Sequence, residues 1–349
     1  MEDPYVSAYF EAPRQPLHCE PLLPGIAKQA ADADRTRSVS PDVIAAIKHS
    51  DLMRLSATEA IGGCEASIAA IAEELEAVSA CCSSTSWCLW NHLCVFHFFC
   101  GVLGPKGQAL LARITAAHEW VSLPAGAGSA VIGRRDGDDW VIRGSAAFAS
   151  GSRYGEWAGV VFTDETGTGA KGSAAELLFG VVRTDDPGVR IDPTWNGMAL
   201  RASATDHIHY EDVRIAPEAQ GVWLNEYRKE YRRPDYAVFS ERYREDWVGL
   251  SDIWLAAQAV GCAGAALEDV ASGVRDRVAI FGVKMSERPM VQVNLGQAAA
   301  KIALARSAVR TACEETDRRI ADGITPTEAD YLRQLSLPMA ALELCVDAL

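Results

Sequence analysis

The sequence predicts an α+β protein in which an N-terminal helical domain, a central β domain and a C-terminal helical bundle follow one another. Three observations support this order. Apolar residues recur at helical spacing up to about residue 114, short β-rich runs separated by glycine and aspartate follow, and long alanine-rich helical runs occupy the rest. We place the domains at residues 1–118, 119–217 and 218–349.

The N-terminal region contains several helix-start signals. Ser40, followed by a proline, is a typical N-cap, and Ser67 precedes a second run with helical periodicity and an acidic outer face. The run from Ser83 is apolar nearly all round, which predicts a central buried helix. We expect it to end at Gly101 or Gly104, just before a proline.

The central region has the pattern of a small β domain. Residues 135–139 form a hairpin turn signal, and residues 164–175 lack periodicity and predict an exposed loop. Several short strands within one region predict a compact barrel or sandwich. The runs with strand character are WVSLPAG, SAVIGRR, DWVIRGSAAF, WAGVVFTD, ELLFGVVR and HIHYEDVRI.

The C-terminal region returns to helices after a charged, tyrosine-rich connection at about 221–245. Two long runs rich in alanine predict closely packed helices of a bundle, because small side chains let helix axes approach. A third helix follows Pro326, and Pro338 is expected to interrupt it.

Composition limits the classes of function. The net charge of −14 argues against nucleic acid or an anionic membrane surface as a partner. We expect no apolar run as long as a bilayer-spanning helix, which needs about twenty residues. The acidic, proline-containing N-terminus is unlike a secretory signal, so we expect a cytoplasmic protein. The ten cysteines lack the spacing of a metal site and are expected to be reduced thiols.

Two segments about forty residues apart carry the chemical information. Residues 148–152 and 194–206 each place small residues and hydroxyls beside an aromatic residue, in a region of strands. Small residues let the backbone approach a ligand closely, hydroxyls hydrogen-bond to heteroatoms, and an aromatic side chain covers one face of a ring. This combination favours a flat ligand with a polar edge, and a flavin is the leading candidate.

The order of the regions, with four stretches in particular, resembles the acyl-CoA dehydrogenase superfamily. The stretches are 52–67, 84–92, 139–152 and 194–217. More narrowly, they resemble its monooxygenase branch, the oxygenase components of two-component flavin hydroxylases. The two β-domain stretches are the more specific part of the resemblance, which covers most of the chain.

The resemblance implies a reaction. Reduced FMN or FAD from a separate flavin reductase would react with oxygen to give a flavin C4a-hydroperoxide, which hydroxylates an aromatic or polycyclic small molecule. It also implies a homo-oligomer, a dimer or tetramer. No nicotinamide-binding G-x-G-x-x-G motif follows a strand, in agreement with an external reductant.

Two alternatives stay open, an acyl-CoA dehydrogenase-like desaturase and a non-catalytic homologue. Dehydrogenases of the superfamily need a carboxylate base, and Ser251 occupies one of the positions where some of them carry it. Asp252 is adjacent, but one step along a helix turns it by about 100°. Related oxygenases also continue with a further helix, so we expect the bundle to be short of the family's last helix.

The resemblance assigns flavin contacts to named residues. A hydroxyl at flavin N5 would come from Ser150 or Ser152, with Ser152 slightly favoured, and the ring would lie between two aromatic residues. Two further hydroxyls are candidates for the flavin phosphate or the pyrimidine edge, and a pair in the bundle matches the pattern that contacts a flavin nucleotide across a subunit interface. These aromatic, hydroxyl and bundle residues are Phe148, Trp195, Ser203, Thr205, Arg277 and Phe281, with Gln292 completing the bundle pattern.

The predicted substrate side lies on the apolar central helix. The resemblance places Trp90, Asn91 and His92 towards substrate and flavin. A neutral His92 imidazole is the best acid–base candidate, since it can accept a phenol or indole proton. The alternative for His92 is a core histidine bonded to a backbone carbonyl, and Asn91 could equally bond within the helix.

Overall fold

A computed structural model describes residues 13–124, 130–166, 177–221 and 237–349, and it has the predicted order of helices, sheet and helices. Most of the predicted loop at 164–175 and much of the connection at 221–245 lie outside the described residues. The N-terminal helices are α1 (Leu23–Thr36), α2 (Pro41–Lys48), α3 (Ile68–Cys81), α4 (Ser83–Leu103) and α5 (Gln108–Ala116).

The predicted helix caps are present. The Ser40 hydroxyl accepts a hydrogen bond from the Val43 N–H at the start of α2, and the Ser67 hydroxyl accepts one from the Ala70 N–H at the start of α3. Helix α4 ends at Gly104 rather than Gly101, because Gly104 adopts a φ of 57° that only glycine takes easily.

The expectation of no apolar run near the length that spans a bilayer was wrong for α4 and for the first bundle helix, α6 (Trp247–Arg275). By length and composition alone, both could cross a membrane. The most apolar window of the segment Ser83–Ala116 is 89% buried inside the protein, and that of α6 is 67% buried. Their composition is therefore explained by their position in the protein core.

In the described part of the chain, seven strands form one curled sheet, a half-barrel, where the sequence predicted a compact barrel or sandwich. The strand order is β1-β4-β2-β3-β7-β6, and β5 pairs with β4. The weakly apolar β6 has no counterpart among the predicted strands. The strands are β1 (Val121–Ser122), β2 (Ala130–Asp136), β3 (Asp139–Ala149), β4 (Trp157–Asp164), β5 (Leu178–Arg183), β6 (Val189–Asp192) and β7 (Asp206–Ile215).

The C-terminal bundle consists of α6, α7 (Pro289–Ala321) and α8 (Glu328–Ala348). Pro338 lies inside α8 and does not interrupt it, so that expectation was wrong. Pro338 is on the buried face of the helix, with Ala341 and Cys345 one and two turns further on. Packing on both sides of the proline holds the helix together despite the missing hydrogen bond, which costs about 3 kcal/mol.

Helix α4 joins the two hydrophobic cores of the molecule. Leu89 and Leu93 belong to the core shared by the helices, whereas Phe98 and Phe99 pack with the core of the sheet. The N-terminal half of α4 is therefore held at the junction between the sheet and the bundle. Both segments singled out by the sequence lie beside that half.

Candidate functional site

A β-bulge in β3 turns Phe148 out of the sheet. Ala146 pairs with Ile208 and Ala149 pairs with Asp206, so β3 has one residue more than β7 over this interval. Phe148 has a φ of 65°, and its side chain is 48% exposed although it lies within a strand. The sequence therefore presents an aromatic face at the surface beside the strand end.

The turn after Phe148 joins the two predicted segments. Gly151 has a φ of 74°, and its N–H donates to the Ser203 carbonyl at 2.9 Å. A Cβ atom at Gly151 would lie 3.1 Å from Trp120 Nε1, so a larger residue would be both strained and crowded. Residues 148–152 and 194–206 thus form one continuous surface.

A chain of hydroxyl groups links these segments to α4. Trp87 Nε1 donates to Ser150 Oγ at 2.9 Å, Ser150 Oγ lies 2.9 Å from Thr205 Oγ1, and Thr205 Oγ1 lies 2.7 Å from Ser203 Oγ. If Thr205 also donates to Ser150, the Ser150 oxygen accepts two hydrogen bonds and its own proton is free. Hydrogen bonds in such a chain strengthen one another.

The prediction that slightly favoured Ser152 over Ser150 is not supported. Ser152 is fully buried, follows the left-handed Gly151, and donates to the Ala204 carbonyl at 3.4 Å. Its side chain therefore points into the protein. Ser203 is also fully buried, so it can act on a ligand only through Thr205, which keeps 8% exposure. Ser150 is buried at 5% exposure, but it lies two residues from the exposed Phe148 and bonds to Thr205, so it is the stronger candidate of the two serines.

A buried ion pair holds Trp195 against the same surface. Arg153 donates from Nε and Nη2 to the two carboxylate oxygens of Asp206, at 2.5 and 3.1 Å, and the Trp195 N–H donates to Asp206 at 3.1 Å. The Asp206 side chain is fully buried. The Trp195 indole N–H donates to the Leu200 carbonyl at 2.8 Å, which fixes the ring at the edge of the surface formed by residues 148–152 and 194–206.

His92 does not have the geometry of an acid–base residue. Its Nδ1 accepts from the Val121 N–H at 3.1 Å, which leaves Nε2 to donate to the Met53 carbonyl at 3.0 Å. Burial lowers the pKa of His92 to about 4. Both nitrogens are committed to backbone groups, so the alternative of a core histidine describes it. His97 is buried as well, with Nε2 on the Glu245 carbonyl.

Trp90 and Asn91 occupy different environments. Trp90 is buried, its indole N–H donates to the Ser251 carbonyl at 3.1 Å, and its ring lies 4.7 Å from that of Trp87. It is therefore a packing residue between α4 and α6. Asn91 keeps partial exposure, and its Oδ1 is buried and has no hydrogen-bond partner among the described residues.

The predicted nucleotide-binding residues lie on the bundle. Arg277 is exposed on the connection between α6 and α7, and Gln292 is exposed with its amide donating to the Ser286 carbonyl at 2.9 Å. Phe281 is in a short 3₁₀ helix, Ile280–Gly282, and its side chain lies outside the described part. Their assignment to a flavin nucleotide stays a prediction.

Three residues of the site were not identified from the sequence: Trp87, Arg153 and Asp206. The sequence signal for Asp206 was its position at the start of an apolar strand. A carboxylate buried there needs a charged or hydrogen-bonding partner. The signal for Trp87 was a second tryptophan one helical turn before Trp90. Within the described ranges, no group of three or more His, Cys, Asp or Glu residues is arranged to hold a metal.

Comparison with known proteins agrees with this architecture. A family model described as the acyl-CoA dehydrogenase C-terminal domain matches residues 253–349. The chain is 23% identical over 295 residues to the oxygenase subunit HsaA, a flavin-dependent monooxygenase of Rhodococcus jostii (strain RHA1), covering 80% of this chain and 71% of that protein.

A dehydrogenase is similar at the same level. Cyclohexane-1-carbonyl-CoA dehydrogenase of Geobacter metallireducens is 26% identical over 338 residues, covering 93% of this chain and 82% of that protein. Among solved structures, XiaF from Streptomyces sp., in complex with FADH2 and glycerol, superposes with a TM-score of 0.83 at 20% identity, covering 95% and 81% of the two chains.

Helices, a curled half-barrel and a helical bundle in this order define the acyl-CoA dehydrogenase fold. With the match of residues 253–349 to the C-terminal domain, the chain is similar to the acyl-CoA dehydrogenase superfamily. Within that superfamily, both monooxygenases and dehydrogenases are similar to it.

Proposed function

We propose that this protein is the oxygenase component of a two-component flavin-dependent monooxygenase. It would use reduced FMN or FAD from a separate reductase and molecular oxygen to hydroxylate an aromatic or polycyclic small molecule. The observation that carries the proposal is the Ser150 hydroxyl, which lies beside the exposed Phe148 and accepts from Trp87 Nε1. When Thr205 is the donor in its hydrogen bond with Ser150, that arrangement leaves the Ser150 proton for the N5 edge of an isoalloxazine ring.

The residues at the junction fit a flavin. Phe148 offers an exposed aromatic face, Trp195 stands partly exposed at the rim, and Ser150 with Thr205 provides polar contacts between them. When bound, a reduced flavin supplies the electrons that activate oxygen. The protein would orient the flavin ring, donate a hydrogen bond from Ser150 and exclude water. Trp87 and Trp90 would help to exclude water, because their rings fill the space along α4.

The position of Ser251 favours oxygenation over dehydrogenation. Ser251 aligns with one location of the dehydrogenase base, yet it has no carboxylate, is 8% exposed, and its carbonyl is occupied by Trp90. A serine cannot itself remove an α-proton from an acyl thioester, and the adjacent carboxylate, Asp252, is turned by about 100° from the Ser251 position. HsaA is named a monooxygenase oxygenase subunit, and its similarity supports the same branch for this chain.

We also propose a homo-oligomer in which the bundle contacts another copy. The bundle carries large apolar side chains at the surface, among them Ile280 at 78%, Met290 at 68% and Val346 at 73% exposure. Apolar surface of this kind is typical of contact faces. Arg277 lies three residues from Ile280, so in such an assembly its guanidinium would reach a phosphate of the partner's flavin.

The test is to measure the reaction of oxygen with reduced FMN or FAD in stopped flow, with and without excess protein. We expect protein to slow flavin reoxidation and lower the yield of hydrogen peroxide, and Ser150→Ala to reverse both effects. Reoxidation as fast as for free flavin would contradict the proposal. Purification with tightly bound oxidised FAD that an acyl thioester bleaches would support a dehydrogenase instead.

A further inference from the structure

His207 is the residue of β7 that lies opposite the bulge in β3. Its neighbours along the strand, Asp206 and Ile208, pair with the β3 residues on the two sides of the bulge. Both neighbours are fully buried, and side chains alternate between the two faces of a strand. His207 therefore projects from the opposite face of the sheet, where it is partly exposed.

The same face carries Phe148 and a pair of hydroxyl groups. Ser150 Oγ lies 2.9 Å from Thr205 Oγ1, across the two strands. Phe148 lies two residues before Ser150 on β3, and His207 lies two residues after Thr205 on β7. The hydroxyl pair and the ring pair are thus successive cross-strand pairs on one face.

The two rings are in direct contact. The centroids of the Phe148 and His207 rings are 5.9 Å apart, and their planes are inclined at 80°. In such an edge-to-face contact the edge of one ring meets the face of the other, so at least one face of the phenyl ring stays free. The 48% exposure of Phe148 agrees with a free face. Among the described residues, His207 is the only ring in contact with it.

This contact is the interaction that the His207 ring makes with the protein. Within the described ranges, its imidazole has no hydrogen bond or ion pair. The residue opposite it on β6 is Asp192, but the Asp192 carboxylate is bonded by His209 Nε2 at 2.9 Å and by Arg190. The charged groups of β6 and β7 therefore pair with one another and leave the His207 ring to Phe148.

His207 limits the positions that the phenyl ring can take. A half-exposed phenylalanine has several staggered rotamers open to it, and a ligand that stacks on the ring must select one of them. The edge-to-face contact favours one ring orientation before any ligand arrives. Fixing a binding group in advance lowers the entropy cost of binding and so raises affinity.

We propose that His207 is a positioning residue of the flavin site, which fixes the plane of the Phe148 ring against which an isoalloxazine ring stacks. This inference rests on the proposed function and deepens it by one residue, which the resemblance did not assign. His207 acts through Phe148 and takes no part in the reaction with oxygen.

The experiment measures the affinity for reduced FMN and reduced FAD by anaerobic calorimetry. His207→Ala should weaken binding of the preferred flavin about fivefold, within the roughly two- to tenfold that an edge-to-face contact is worth. His207→Phe keeps an aromatic ring and should restore affinity to within about twofold of the unsubstituted protein. His209→Ala is the matched control, since His209 is a partly exposed histidine of the same strand that lies opposite Ser145, and it should leave affinity unchanged.

A double-variant cycle tests whether His207 acts through the phenyl ring. In a Phe148→Ala background, His207→Ala should cause no further loss of affinity, because the ring that it positions is gone. Unchanged affinity for His207→Ala, an equal loss for His207→Phe, or a full fivefold loss in the Phe148→Ala background would overturn the inference. A loss shared by His209→Ala, with an equal fall in Tm, would also overturn it, since it would show a general effect on the sheet.

Flavin binding and the oxygen reaction separate this inference from the proposed function. A protein that slows flavin reoxidation but binds flavin equally well with His207→Ala would refute the inference alone. A protein whose flavin affinity depends on His207, but which does not slow reoxidation, would refute the monooxygenase alone. Failure of the unsubstituted protein to bind either reduced flavin would refute both.

Discussion

Replacing Asp206 with asparagine tests whether the buried ion pair holds the candidate site together. The substitution keeps the shape of the side chain and one acceptor for the Trp195 N–H, but it removes the charge that Arg153 faces. Asp206 is fully buried, whereas the Arg153 side chain is 23% exposed, so water would recover part of the guanidinium's solvation.

The structure gives the expected magnitude. Removing one partner of a buried pair costs about 3–5 kcal/mol, and the partial exposure of Arg153 places this case near about 3 kcal/mol. For 349 residues, an unfolding entropy of about 2.1 cal/mol/K per residue gives about 0.7 kcal/mol per degree. We therefore expect the Tm to fall by roughly 4 °C.

The assay is thermal unfolding followed by circular dichroism, combined with a titration of FMN or FAD. Flavin affinity should weaken as well, because Asp206 positions both Trp195 and the turn after Ser150. Asp269→Asn removes an exposed carboxylate and serves as the control. The double variant Arg153→Met with Asp206→Leu should recover much of the loss, since apolar replacement of a buried pair is often neutral.

A shift of less than about 1 °C for Asp206→Asn, within the range of ordinary surface substitutions, would refute this reasoning. The reasoning would also be refuted if the loss of stability in the double variant equalled the sum of the losses in the Arg153 and Asp206 single variants. Residues in direct contact should instead show a coupling free energy.

Three further predictions concern single groups. Ser150→Ala should weaken flavin binding about tenfold with little loss of stability. Ser152→Ala should lower the Tm and leave flavin affinity within about twofold. The reverse pattern would restore the prediction that favoured Ser152. Trp87→Phe, which removes one donor to Ser150, should raise peroxide yield in the oxygen reaction, and an unchanged yield would show that the hydroxyl chain does not matter. The His92 ring should stay neutral in NMR titrations from pH 8 down to about 5, since burial lowers its pKa to about 4; a midpoint near 6.5 would contradict the buried assignment.

The His92 result has a consequence for stability. The unfolded chain binds a proton at the ordinary histidine pKa of about 6.5, whereas the folded chain does so only at about pH 4. The unfolded state therefore gains protons first as the pH falls, and stability decreases between about pH 6.5 and pH 4. From this group alone we expect a loss of about 2 kcal/mol at pH 5, measurable by denaturant unfolding at several pH values.

Local signals in the sequence were sufficient for most of the fold. Caps such as Ser40 and Ser67 act within one turn of their own helix, and the all-apolar pattern of α4 can only be satisfied in a core. Pro338 could not be predicted correctly, because the packing that keeps α8 continuous comes from contacts with α6 and α7 and not from its own residues. The curled sheet depends equally on long-range strand pairing.

The site was predictable as two segments but not as individual contacts. Small residues and hydroxyls identified 148–152 and 194–206, and the structure brings them together through Gly151 and Ser203. Which hydroxyl faces outward depends on the bulge before Phe148, and a bulge changes orientation without changing composition. For His92 the sequence left two alternatives open, because its partners Met53, in a short 3₁₀ helix, and Val121, in β1, are distant in the sequence.

The backbone of Phe148 sets a limit on any attempt to stabilise this protein. A φ of 65° costs a residue other than glycine roughly 1 kcal/mol, and Phe148 is 48% exposed to solvent. Selection for thermal stability alone would therefore favour glycine at this position. The same change would remove the aromatic face offered to a ligand. A screen that ranks variants by melting temperature would thus choose against activity here, so variants at Phe148 need a binding assay beside the thermal one.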